Sequence, residues 1–166
     1  MKTAFIIIDV QNILVEIGFE TQKLLEKISY LQDQARKQQI EIIYIQHIET
    51  EEALTSEDWK LSPLLKRQSD EKVFQKRYNS MFKETGLKEY LDQQGIEKLV
   101  LCGMQTEYCV DTSVKVAFEH GYKLVVPEGT VTTFDGDDIP AETINDFYEN
   151  IWDERFADVL DYKTIF

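Results

Sequence analysis

Short apolar runs alternate with helix-forming segments along the whole chain. Five runs are typical of buried strands, and a weaker sixth lies near the C-terminus: Ala4–Ile8, Ile40–Gln46, Val73–Lys76, Leu99–Cys102, Leu124–Val126 and Ala157–Leu160. Strands of this kind, separated by helices, indicate a parallel sheet that is covered on both faces. The pattern therefore predicts one three-layer α/β domain over residues 1–166, with no linker or internal repeat.

The segments between these runs carry apolar residues at spacings of three and four. The first predicted helix, which Thr21 is placed to cap, presents one apolar face made of Leu24, Leu25, Ile28, Leu31 and Ala35. A shorter helix is predicted over Leu87–Gln94, ending at Gly95, and another from Ala141 to about Trp152. The polar and acidic segment from Glu49 to Asp58 is typical of a surface loop.

The segment around Cys109 predicts a turn from a strand into a helix. The apolar run ends at Gly103, and a helical pattern then places Val110, Val114, Ala117 and Phe118 on one face. Thr106 is positioned to cap this helix, so Cys109 falls in its first turn. Free N–H groups and the helix dipole favour an anion there. We therefore expect Cys109 to be held as a thiolate and to act as a nucleophile.

Composition narrows the possible partners. The chain has 166 residues and a net charge of −13, which disfavours nucleic acid and anionic membranes, and its 43% hydrophobic content argues against disorder. The N-terminal apolar run is too short for a signal peptide or a membrane span. Two cysteines without such a signal indicate the reducing cytoplasm, and we expect no disulfide between Cys102 and Cys109.

Three chemically active side chains follow three of the predicted strands. Asp9 comes directly after the first strand, Lys76 ends the third, and Cys109 lies beyond the fourth. In open α/β sheets, ligands bind beyond the carboxyl ends of the strands. Each residue alone has a structural explanation: a turn-capping aspartate, a solvated lysine or a buried thiol. Their coincidence at one edge of the sheet favours a catalytic site.

These residues lie in segments that resemble the isochorismatase-like cysteine hydrolases. The similarity rests on Asp-x-Gln from Asp9, on Lys76 followed by Tyr-x-Ser-x-Phe, and on Gly-Met-x-Thr-Glu-x-Cys-Val-x-Thr from Gly103. It extends from Phe5 to about Val159. The resemblance implies a Rossmann-like fold with a mostly parallel sheet of six strands, and a homo-oligomer.

The resemblance also implies a catalytic triad, which falls on Asp9, Lys76 and Cys109. It further implies a cis peptide bond between Met104 and Gln105. The residue types then suggest the chemistry. Lys76 would stabilise the thiolate, and Asp9 would take the thiol proton and later give it to a leaving amine.

The expected reaction is hydrolysis of the C–N bond of a small amide through a thioester, with no cofactor. The N–H groups of Gln105 and Cys109 are candidates for the oxyanion hole. Gln11 and Tyr108 are candidate substrate contacts.

Nicotinamidases of this family carry a metal motif of the type Asp-x-His-x-x-His after the second strand. Here only His47 stands in that region, so we expect no metal and disfavour nicotinamide as a substrate. Three other functions remain open. An isochorismatase would cleave a vinyl ether, which needs an acid more than a thiol. Thr106 and Cys109 also match the Thr-x-x-Cys spacing of thiol peroxidases, although the upstream proline is missing. A non-catalytic module is the third possibility.

Overall fold

The computed structural model describes all 166 residues and contains a single parallel sheet. Its strands are β1 (Thr3–Ile8), β2 (Glu41–His47), β3 (Lys72–Lys76), β4 (Lys98–Met104), β5 (Lys123–Pro127), β6 (Val131–Thr132) and β7 (Asp158–Leu160). The strand order is β3-β2-β1-β4-β5-β7, and the short β6 pairs with β4. All six predicted strands are present. The expected count of six is wrong by one, because β6 has only two residues and leaves no apolar run to detect.

Five helices accompany the sheet. They are α1 (Asn12–Ile17), α2 (Thr21–Lys37), α3 (Leu87–Gln94), α4 (Asp111–Glu119) and α5 (Ala141–Trp152). A π-helical turn over Thr106–Val110 leads directly into α4. The predicted loop contains two short 3₁₀ turns, Glu51–Leu54 and Glu57–Trp59. None of the helices combines the length and the apolar character needed to cross a bilayer.

Two hydrophobic cores lie on opposite faces of the sheet. Side chains of β1 alternate between them, with Ile6 and Ile8 in one core and Phe5 and Ile7 in the other. The first core includes residues of α3, α4 and α5, and the second includes the buried face of α2. This arrangement confirms the three-layer prediction and explains why the central strands are apolar throughout.

The strand order places a topological switch point between β1 and β4. The chain moves outward from β1 through β2 to β3, and then returns to place β4 on the other side of β1. The connections that leave the carboxyl ends of β1 and β4 therefore diverge, which opens a crevice between them. Asp9 follows β1 and the turn that carries Cys109 follows β4, so both residues lie at this crevice.

Two predicted helix caps are wrong. Thr21 is the first residue of α2, and its hydroxyl donates a hydrogen bond to the Val15 carbonyl at 2.7 Å instead of capping the helix. The Thr106 hydroxyl donates to Asn145 Oδ1 on α5 at 2.6 Å. In both cases a tertiary partner has replaced the local cap.

The predicted apolar face of α4 is only partly buried. Val110, Val114 and Ala117 lie in the core, whereas Phe118 is 42% exposed and packs edge-to-face with Phe156. Phe118 therefore contributes to the surface between α4 and the segment before β7.

The side-chain amide of Gln11 extends the pairing of β1 with β2 beyond the strand ends. Gln11 Oε1 accepts from the His47 N–H at 2.8 Å, and Nε2 donates to the His47 carbonyl at 3.0 Å. The same Nε2 donates to the Trp59 carbonyl at 2.6 Å. Gln11 is fully buried and its amide is bonded to main-chain groups, so its contact with substrate stays a prediction. It holds the ends of two strands and one loop together.

We predict that Gly103→Ala disrupts the contact between β1 and β4. Gly103 has φ +126°, and a Cβ there would lie 2.0 Å from the Ile8 carbonyl oxygen. Strain and main-chain displacement should lower the free energy of unfolding by at least about 3 kcal/mol, measured by urea denaturation.

Gly95→Ala is the matched control, because Gly95 also has a positive φ but has open space at its Cβ position. That variant should lose only about 1–2 kcal/mol. Equal losses in the two variants would contradict a steric origin.

Replacement of Gln11 should also destabilise the fold. Gln11→Leu keeps the volume but leaves main-chain groups of His47 and Trp59 without partners. The free energy of unfolding should fall by about 3 kcal/mol. The exposed Gln75→Leu on β3 is the control and should change it by less than about 0.5 kcal/mol, whereas a similar loss in both variants would contradict the assigned role.

Candidate active site

A buried lysine ammonium lies at the centre of the site. The Lys76 side chain is fully inaccessible to solvent. Its Nζ lies 2.8 Å from Asp9 Oδ2, 2.9 Å from His47 Nδ1, 2.9 Å from the Tyr78 carbonyl oxygen and 3.0 Å from Cys109 Sγ. The structure therefore brings the three predicted catalytic residues together around one positive charge.

Strand register places Lys76 and His47 side by side. The two residues are partners in the parallel pairing of β2 with β3, and both end their strands. His47 Nδ1 faces Lys76, while Nε2 lies 3.5 Å from Oε1 of the exposed Glu49. The ring thus contacts the centre of the site through one nitrogen and the surface loop through the other.

Asp9 adopts a backbone conformation that turns the chain sharply after β1. Its φ is +52°, in the left-handed region that aspartate tolerates better than most residues. Its N–H still donates to the Ile45 carbonyl, which keeps the turn attached to β2. The carboxylate is buried, and its Oδ1 has no hydrogen-bond partner. Asp9 therefore has one oxygen paired with Lys76 and one available to accept a proton.

Cys109 is positioned by the turn between β4 and α4. The Met104–Gln105 peptide bond in this turn is cis, and Cys109 follows within the π-helical segment. The Trp152 indole donates to Asp111 Oδ1 at 2.9 Å, which fixes the start of α4 against α5. Cys109 is accordingly held by contacts on both sides of its turn.

The oxyanion-hole prediction concerns main-chain N–H groups of this same turn. The Gln105 N–H makes no main-chain hydrogen bond, whereas the Gln105 carbonyl accepts from Tyr108 and Val110. The Gln105 donor is therefore available, and the Cys109 N–H lies one turn further along the chain. Their role in binding an oxyanion stays a prediction.

The surroundings of the sulfur favour the neutral thiol over the expected thiolate. Burial and the negative charge of Asp9 raise the pKa of Cys109 to about 12, against the lowering by the Lys76 ammonium. Burial likewise raises the pKa of Asp9, although Lys76 acts in the opposite direction. A carboxylate with an increased proton affinity beside a neutral thiol is suited to act as its general base.

Asn79 borders the sulfur, and Tyr108 precedes Cys109 in the chain. Asn79 Oδ1 lies 3.9 Å from Cys109 Sγ, and sequence reasoning assigns it no role although it belongs to the motif after Lys76. Tyr108, the predicted substrate contact, is 54% exposed beside the nucleophile. Both residues are therefore placed where a substrate could meet them.

Asp9, His47 and Cys109 each offer one atom that could ligate a metal ion, and these three atoms lie within 4.8 Å of one another. Such a trio could hold a metal ion, but the Lys76 ammonium already lies within hydrogen-bond distance of all three. A second cation would be repelled unless the lysine moved. The absence of a metal stays a prediction that these contacts favour.

Known proteins are similar to this chain in sequence and in fold. The family model described as the isochorismatase domain matches residues 3–163. The uncharacterized isochorismatase family protein YddQ of Bacillus subtilis is 29% identical over 159 residues, covering 87% of this chain and 88% of YddQ. A crystal structure of an isochorismatase family protein has a TM-score of 0.92 at 29% identity, covering 96% of this chain and 98% of that one.

Two relatives have names that state an activity. Streptothricin hydrolase of Streptomyces noursei is 28% identical, with 83% of this chain and 51% of that protein covered. Maleamate amidohydrolase of Pseudomonas putida is 37% identical over 59 residues, which is 36% of this chain and 28% of that protein. Together with the match over nearly its whole length, these similarities show that the chain belongs to the isochorismatase family of hydrolases.

Proposed function

We propose that this protein is a cysteine hydrolase that cleaves the C–N bond of a small amide through a thioester intermediate. The observation that carries the proposal is the buried Lys76 ammonium, 2.8 Å from the Asp9 carboxylate and 3.0 Å from the Cys109 sulfur. A structural thiol has no need of a base and a cation at these distances. A nucleophilic thiol is activated by a base that takes its proton and by a cation that stabilises the sulfur.

The first half of the reaction uses the thiol proton. As Cys109 Sγ attacks the carbonyl carbon of the amide, its proton passes to Asp9, and Lys76 stabilises the sulfur while it loses that proton. The oxyanion would form beside the Gln105 and Cys109 N–H groups, which would donate hydrogen bonds to it. Asp9 then gives its proton to the departing nitrogen, the C–N bond breaks, and a thioester on Cys109 remains.

The second half returns the enzyme to its starting state. Asp9, again a carboxylate, takes a proton from water as the water oxygen attacks the thioester carbonyl. The C–S bond breaks, the sulfur regains a proton from Asp9, and the carboxylic acid leaves. These steps consume one water molecule and need no redox or organic cofactor.

Among the relatives, the name streptothricin hydrolase supports a hydrolytic reaction, and the name maleamate amidohydrolase supports an amide substrate. The net charge of −13 supports a small molecule, not a polyanion, as the partner. Tyr108 and Asn79 would contact the substrate at the rim. Cytoplasmic location and a homo-oligomeric state remain predictions from the sequence.

The direct test is ammonia or amine release from a panel of small primary and secondary amides. Cys109→Ala should reduce release by at least about a thousandfold, because no thioester can form. Cys102→Ala is the matched control, since Cys102 is buried in β4 and has no contact with the site, and it should retain turnover.

Mass spectrometry with a slowly hydrolysed substrate should find an acyl group on Cys109 and none on Cys102. Release of pyruvate from a vinyl-ether substrate, with activity that survives Cys109→Ala, would instead favour an isochorismatase reaction. Neither product from any substrate would favour a non-catalytic family member.

The protonated resting state predicts a specific pH dependence of alkylation. Because the pKa of Cys109 is raised to about 12, the thiolate fraction should increase with pH and show no plateau below about pH 10. Iodoacetamide should modify Cys109 at pH 7 at least about tenfold more slowly than it modifies free cysteine. If the alkylation rate instead reached its plateau near pH 8, Cys109 would be an ordinary thiol. A plateau below pH 6 would show the thiolate that the sequence predicts.

A further inference from the structure

The Lys76 ammonium has more acceptors than it can satisfy. It carries three hydrogens, and four acceptor atoms lie within 3.0 Å of Nζ: Asp9 Oδ2, His47 Nδ1, the Tyr78 carbonyl oxygen and Cys109 Sγ. Two of these acceptors, the main-chain carbonyl and the imidazole nitrogen, take no part in the proposed proton transfer. The other two exchange a proton with each other.

We propose that His47 is a positioning residue that, with the Tyr78 carbonyl, holds two of the Lys76 hydrogens so that one alone alternates between Asp9 and Cys109. The inference rests on the proposed function and gives His47 a role in the same site. Each acceptor's distance from Nζ, between 2.8 and 3.0 Å, allows a full hydrogen bond.

The alternating hydrogen bond couples two protonation states. In the first, Asp9 is a carboxylate that accepts from Lys76, and Cys109 is a neutral thiol. In the second, the S–H bond has broken, an O–H bond has formed on Asp9, and Lys76 donates to the sulfur anion. The same ammonium hydrogen bonds to the carboxylate of Asp9 in the first state and to the sulfur anion of Cys109 in the second. The proton can therefore move from sulfur to oxygen and back within one turnover.

Without the histidine acceptor, a second ammonium hydrogen would become free. Lys76 could then donate to Asp9 and Cys109 at once, which would stabilise a state in which both are anions and the proton is lost to solvent. The thiolate would form at lower pH, but Asp9 would no longer hold the proton that the leaving nitrogen needs. Reactivity of the sulfur would rise while amide turnover fell.

The neighbours of His47 favour the ring tautomer that this role requires. A ring nitrogen 2.9 Å from an ammonium acts as an acceptor, so Nδ1 carries no hydrogen and Nε2 carries it, facing Glu49. The Gln11 amide holds both main-chain groups of His47. The titratable groups that face the ring are Lys76, Asp9, Cys109 and Glu49.

Nitrogen NMR tests the tautomer directly and needs no substrate. The chain has only two histidines, His47 and His120, and His120→Gln assigns the signals by removing one set. We expect His47 to show a hydrogen on Nε2 and an unprotonated Nδ1 whose shift changes in Lys76→Met. An Nδ1–H tautomer, or an Nδ1 shift that Lys76→Met leaves unchanged, would overturn the proposal.

Two variants test the functional consequence. His47→Leu removes the acceptor, and His47→Asn offers an amide oxygen near the position of Nδ1. In His47→Leu, iodoacetamide should alkylate Cys109 about three- to tenfold faster at pH 7.5, because a second ammonium hydrogen would then stabilise the thiolate. Turnover of any amide that the wild type hydrolyses should fall at least tenfold by the same reasoning, and His47→Asn should recover most of the wild-type alkylation profile.

A purely structural role for His47 would lower alkylation and turnover together in His47→Leu, and that outcome would overturn the proposal. If the wild type hydrolyses no amide, the proposed function fails. The tautomer and the direction of the alkylation change still decide the role of His47. The two failures are therefore distinguishable.

Discussion

The site depends on an ammonium group buried away from water. Removing such an ion from solvent costs several kcal/mol even after the protein relaxes, so it persists only where acceptors surround it. The Lys76–Asp9 pair supplies the compensating charge, and both side chains are almost fully inaccessible. The other acceptors come from β2, from the segment after β3 and from the turn after β4. The ends of four neighbouring segments must therefore meet for the lysine to remain charged.

This requirement links the fold to the chemistry. A parallel sheet brings the carboxyl ends of its strands to one edge, and the switch point between β1 and β4 opens that edge. The charge of Lys76 acts on a carboxylate whose pKa burial has raised and on a thiol that burial keeps protonated. Desolvation, which makes the thiol a poor anion at rest, also makes the carboxylate a better base. The same burial thus acts on both members of the proposed proton transfer.

The sequence is sufficient to predict the architecture and the three central residues. Continuous apolar runs identify six strands, and the rule for strand ends selects Asp9, Lys76 and Cys109 from the order of residues alone. The predicted strands are confirmed and the three side chains do meet, because both features depend on periodicity and on the geometry common to parallel sheets, whereas the catalytic roles stay predictions. The two-residue β6 escapes detection because it is defined by its partner β4 and not by its own composition.

The errors concern properties that tertiary contacts decide. The local position of Cys109 at a helix start suggests a thiolate, but the depth of burial around the sulfur is not visible in the chain. The structural role of the Gln11 amide is also invisible in the chain, because its partners lie 36 and 48 residues away. The sequence presents His47 only as an isolated candidate metal ligand, because nothing local indicates that its ring faces a lysine on the next strand.

The absence of a side chain at Gly103 lets the backbones of β1 and β4 approach closely just before the turn. The direction in which the chain leaves β4 is thereby set by main-chain packing, independently of the residues that line the crevice. Substitutions among those lining residues should therefore leave the path of the main chain after β4 unchanged.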